Sequence, residues 1–82
     1  MMQIDQARRL VASALEKSVE EVAADGALGA VPGWDSLGHL RIVLSLETML
    51  GRTLGPQEIL HVESVEDVAA LLAAGTGRPS AF

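Results

Sequence analysis

The sequence predicts an all-α domain: a small four-helix bundle with a short third helix and a long first loop. Apolar residues recur at three- and four-residue steps in separate segments, the spacing of one face of a helix. No segment alternates with the period of a strand. The chain has 82 residues, 49% of them hydrophobic, enough for one small core. Residues 1 to 75 are expected to form this domain, and residues 76 to 82, TGRPSAF, a disordered tail.

The elements follow in order. Residues 3 to 17 read as the first helix, with Ile4, Ala7, Val11, Ala14 and Leu15 inward and Arg8, Arg9, Glu16 and Lys17 on the opposite face. Residues 18 to 35 form a long connection. Ser18 and Glu21 suit a capping box for one short turn, with Val19 and Val22 tucked inward. Asp25, Gly26, Gly29, Pro32 and Gly33 then break regular structure. A connection of this length in a small domain is often functional. It holds Glu20, Glu21, Asp25 and Asp35 and no basic residue, so negative charge collects ahead of Ser36.

Residues 36 to 50 are the second helix, with Ile42, Val43, Leu46, Met49 and Leu50 facing the core and Gly51 as C-cap. Leu37, Leu40 and Leu44 lie to one side with Glu47. Such a pattern suits either a helix buried on two sides or a docking surface. Pro56 opens a short third helix over Gln57 to Leu60. Ser64, with Asp67 three residues on, caps the fourth, where Val65, Val68, Ala69 and Leu72 share a face and Gly75, Thr76 and Gly77 end it.

Composition narrows the function. The net charge of −5, from 6 basic and 11 acidic residues, disfavours binding to phosphate backbones and favours partners with basic patches. A helix-turn-helix DNA reader is disfavoured on the same ground, since the second helix has one basic residue, Arg41. With no cysteine there is neither a disulfide framework nor a Cys-ligated zinc site, and no metal site is expected. No apolar run reaches the roughly 20 residues of a membrane span, and the first ten residues do not read as a signal peptide. The cytoplasm is therefore the expected location. Length and Met1 point to a free-standing protein.

The stretch GWDSLGHL, residues 33 to 40, carries the functional question. Ser36 stands where a loop becomes a helix. Either Asp35 or Ser36 suits an N-cap there. Ser36 also suits a covalent attachment point, because a loop-helix junction is reachable by another enzyme. His39 shares a helical face with Ser36, but a third orienting group and an oxyanion hole are not evident, so a self-contained hydrolase is not expected.

In its helical setting the Gly-x-Asp-Ser-Leu stretch resembles the acyl carrier protein family. PGWDSLGHLRIVLSLETMLG is similar to a carrier's motif and second helix, and SVEDVAALL to its last helix; the likeness covers about residues 3 to 74. The resemblance implies that Ser36 carries 4′-phosphopantetheine, donated from coenzyme A by a phosphopantetheinyl transferase, with Asp35 and Leu37 completing the motif. It implies a covalent shuttle rather than an enzyme, holding acyl groups as thioesters and visiting acyl-loading and acyl-processing enzymes as a monomer. It places partner recognition on the second helix, at Gly38, His39, Arg41, Leu44 and Glu47, and an acyl cleft at Leu46, Leu54, Ile59 and Leu60. Gly38, His39 and Arg41 stand where carriers of fatty acid biosynthesis often have acidic or neutral residues, which suits a specialised, polyketide-like pathway. A peptidyl or aminoacyl carrier is the alternative within the family. A helical interaction module, with Ser36 only a cap, is the alternative outside it.

Overall fold

The computed structural model describes residues 2–77. Among them are four α-helices, α1 (Met2–Leu15), α2 (Ser36–Leu50), α3 (Pro56–His61) and α4 (Val65–Gly77), plus a single 3₁₀ turn at Val19–Glu21. The expected all-α bundle is therefore present. The main helix contacts are α1 with α4, α1 with α2, and α2 with α4; α3 is not part of that set.

The core is apolar throughout: among the described residues no polar or charged side chain is buried. Val11 of α1, Ile42 and Leu46 of α2, Val68 and Leu72 of α4, and Trp34 of the first loop are its inaccessible centre. The buried stripe of α1 is wider than periodicity suggested, since Leu10 and Ala12 join it between two neighbouring helices.

The helix ends follow local chemistry. After α1, Glu16 adopts a left-handed conformation with φ 60°. Its N–H donates to Ser13 O at 3.1 Å, and the Lys17 N–H donates to Ala12 O at 2.8 Å. This is the Schellman pattern, built here without the usual glycine. Helix α2 ends as expected at Gly51, left-handed at φ 72°. At α4, Ser64 Oγ accepts from the Asp67 N–H and the Asp67 carboxylate accepts from the Glu63 N–H, the expected capping arrangement.

The first loop is pinned at several points. At Ser18, both the N–H and Oγ donate to the Glu21 carboxylate, which holds the Glu21 pKa below its ordinary value. Arg8 leaves the solvent face assigned to it: its guanidinium donates to Val22 O at 2.7 Å and Val19 O at 3.0 Å, clamping the 3₁₀ turn. Further on, the Leu28 N–H donates to Glu63 O and the Val65 N–H to Gly26 O, joining the loop to the start of α4.

Two expectations need correction. Met49 is half exposed rather than in the core, because it lines an open pocket of about 290 Å³ between α1 and α2, with Arg9 and Leu10 among its other walls. Helix α4 runs through Gly77, so residues 76 and 77, expected in the tail, are helical; glycine lowers helix propensity by about 1 kcal/mol without forbidding the conformation. The rest of the expected tail, residues 78–82, lies outside the described residues.

Candidate functional site

Three features of the sequence place Ser36. Gly33, with φ +90°, turns the chain back toward α1. Trp34 follows and is buried at 1% exposure, fixing the loop to the core. Asp35 is the N-cap: its Oδ1 accepts from the Gly38 N–H at 3.0 Å, satisfying one of the donors that a helix start leaves free. The capping question thus resolves in favour of Asp35. Ser36 is the first residue of α2 and is exposed, and its hydroxyl has no hydrogen-bond partner among the described residues.

Gly38 has a structural reason that the sequence did not disclose. It is buried, one turn into α2, against the loop. A Cβ there would stand 2.0 Å from Gly33 O and 2.7 Å from Leu15 Cδ2. Only glycine lets the helix start pass so close to the loop. Gly38 was expected on the recognition surface and instead forms the seat on which the motif rests.

His39 was expected at the surface and is half buried, with both ring nitrogens engaged. The Trp34 Nε1–H donates to Nδ1 at 3.2 Å, and Nε2 lies 3.0 Å from Ile59 O. An indole nitrogen only donates and a carbonyl oxygen only accepts, so Nδ1 is bare and Nε2 carries the proton. The two rings also stack, with centroids 6.5 Å apart and planes at 19°. The pairing of Trp34 with His39, five residues on, was not read from the sequence.

The other expected recognition residues divide. Leu37, Leu40 and Leu44 are 58%, 53% and 54% exposed, so α2 is not buried on two sides. Each forgoes roughly half of the about 1.5–3 kcal/mol that burying a fully exposed leucine would supply. Arg41 is exposed and reaches Glu16 only at 3.8 Å, both in solvent. It also borders a depression of about 180 Å³ beside the motif, lined by Leu15, Gly33, Asp35, Leu37 and Gly38. Glu47 is half buried and accepts from the Leu54 N–H at 2.9 Å, which gives it a structural task in the loop before α3.

The four residues expected to form a cleft are not alike. Leu46 and Leu54 are buried, Ile59 is partly buried against the core, and Leu60 is 71% exposed. Leu60 therefore extends the apolar surface of the domain rather than lining its interior. His61, on the same helix, is exposed, with Nδ1 2.8 Å from Gln57 O. At the other end of α3, Glu58 accepts from the Gly55 N–H and pairs with both terminal nitrogens of Arg52. Its pKa is lowered to about 2, first by Arg52 and then by the Gly55 N–H.

Fold and site together define a small helical domain that offers one serine hydroxyl to solvent at a helix start, beside an exposed leucine surface. Acyl carrier protein 3 of Ralstonia nicotianae (strain ATCC BAA-1114 / GMI1000) is 30% identical over 71 residues, covering 87% of this chain and 82% of that protein. The chain belongs to the acyl carrier protein family. No family model matches it, and no solved structure matches it.

Proposed function

We propose that this chain carries acyl intermediates on a 4′-phosphopantetheine arm attached to Ser36. The observation that carries this reading is the division of labour at the start of α2: Asp35 caps the helix, which leaves the Ser36 hydroxyl exposed and without a hydrogen-bond partner among the described residues. The residues present fit the group. A helix start favours the negative charge of a phosphodiester, and an exposed first residue admits a transferase. Ser36 Oγ takes the phosphoryl end of the arm from coenzyme A: an Oγ–P bond forms, the pyrophosphate P–O bond breaks, the nucleotide half leaves, and the hydroxyl proton passes to a base in the transferase. When bound, the arm supplies a terminal thiol that holds acyl groups as thioesters. The rest belongs to the chain's own residues: Trp34 and Gly38 fix the position of Ser36, and Leu37, Leu40 and Leu44 present a surface on which loading and processing enzymes can seat.

This makes the protein a cytoplasmic, monomeric shuttle rather than an enzyme, dependent on a phosphopantetheinyl transferase. Arg41 at the head of α2, with Glu47 held in a loop contact, gives the helix a weaker acidic face than generic fatty acid synthesis calls for. That supports service in a specialised, polyketide-like pathway. An aminoacyl carrier would use the same hydroxyl and differ only in its loading enzyme.

Incubation with coenzyme A, magnesium and a promiscuous phosphopantetheinyl transferase, followed by intact mass measurement, tests the proposal. One phosphopantetheine is expected on the native chain and none on Ser36→Ala. A folded native chain that gains no mass would leave a helical interaction module as the reading. Loading with acyl or aminoacyl donors then separates the two kinds of carrier.

A further inference from the structure

Helix α3 is only six residues long and lies outside the main helix contacts. Among the described residues, one side-chain hydrogen bond runs from α2 to α3, from His39 Nε2 to Ile59 O. That carbonyl lies in the last turn of α3, where helix carbonyls lack intrahelical donors. Its backbone donor, the Val62 N–H, is long at 3.4 Å. The imidazole therefore acts as a C-terminal cap supplied by a different helix. His39 is in turn oriented by Trp34, whose indole is buried and whose Nε1–H fixes the ring tautomer. The chain of contacts thus runs from the loop that sets Ser36, through the first turns of α2, to α3.

We propose that His39 is a positioning residue that latches α3 against α2, and that release of its bond to Ile59 O frees the last turn of α3 from α2.

Two substitutions separate the two bonds. In His39→Asn, Oδ1 stands near the place of Nδ1, so an acceptor for Trp34 remains but the reach to Ile59 is lost. In His39→Gln, the amide nitrogen stands near the place of Nε2, so the donor to Ile59 remains and the acceptor for Trp34 is lost. Amide hydrogen exchange on the unmodified chain is the measurement. His39→Asn is expected to speed exchange of the Ile59 and Val62 amides roughly fivefold to tenfold, the effect of one lost hydrogen bond, with α1 and α4 unchanged. His39→Gln is expected to keep α3 within about twofold of native, as a conservative rescue. Equal exchange in native and His39→Asn overturns the latch; so does an equal gain in both variants, which would assign the effect to loss of the ring's bulk. Ring nitrogen shifts of the native protein give a check that needs no variant: a protonated Nδ1 with a bare Nε2 would also overturn it. A failed phosphopantetheine transfer, by contrast, removes the carrier reading and leaves the exchange result standing.

Discussion

The α1–α4 pair and helix α3 are held in place by different physics. Helices α1 and α4 face each other through fully buried side chains such as Val11, Val68 and Leu72. Helix α3 buries no residue completely and depends on directed polar bonds: His39 to Ile59 O, Arg52 to Glu58, and Glu58 to the Gly55 N–H. Burial is non-directional and grows with area, whereas a hydrogen bond contributes only about 0.5–1.5 kcal/mol net and requires a particular geometry. The contrast separates stability from movement. The α1–α4 pair can keep the domain folded while α3 opens locally at small cost.

The strongest way to sharpen this contrast is a truncation on each side. Leu72→Ala, at a fully buried α4 position, is expected to cost about 2–5 kcal/mol and to lower the denaturant midpoint of the whole domain. Ile59→Ala removes a partly buried side chain but keeps the carbonyl that His39 uses; it is expected to cost under about 2 kcal/mol, visible mainly as faster exchange within α3. Equal global losses from the two would erase the distinction. Gly38→Ala comes next. A Cβ only 2.0 Å from the Gly33 carbonyl oxygen forces the loop away from α2. Overpacking of that kind costs about 1–3 kcal/mol, of which the better helix propensity of alanine offsets at most about 1. Chemical denaturation checks it, and a neutral or stabilising result would mean the loop yields freely.

The helices were legible because their signals are local. Ser18 with Glu21, Gly51, and Ser64 with Asp67 each satisfy backbone groups within one turn, and Pro56 removes a donor that the start of α3 would leave free, so a single chain segment contains the whole pattern. The motif at Ser36 was legible by resemblance, and the structure adds that Asp35 takes the capping role. What escaped depends on groups brought together by packing. Arg8 looked solvated because its acceptors, Val19 O and Val22 O, are eleven and fourteen residues away. Gly38 was placed on the recognition surface because the carbonyl of Gly33 that it accommodates comes from the loop. His39 looked like a surface histidine because one of its partners is twenty residues further on, a backbone carbonyl with no side-chain signature. Met49 carried the right period for the core, yet the groove between α1 and α2 remains open there.

The smallest expected effect concerns the other anchor of α3. Arg52 meets Glu58 through two nitrogens, at 3.1 and 2.9 Å, and Glu58 also accepts from the Gly55 N–H at the helix start. These bonds favour the ionised carboxylate, so its pKa falls from an ordinary 4.5 to about 2. With the folded value below the unfolded one, the contribution of Glu58 to stability is complete above about pH 4.5 and is lost as the pH falls toward 2. The pair is solvent-facing, so salt screens it and the change in global stability is small. The titration itself is the sharper readout. The Glu58 side-chain carbon shift should have its midpoint near pH 2 in the native chain. In Arg52→Ala the midpoint should rise toward the ordinary range but stay below it, because the Gly55 N–H still donates. An ordinary midpoint in the native chain would show that Arg52 does not hold Glu58 in solution, leaving His39 as the main polar tether of α3.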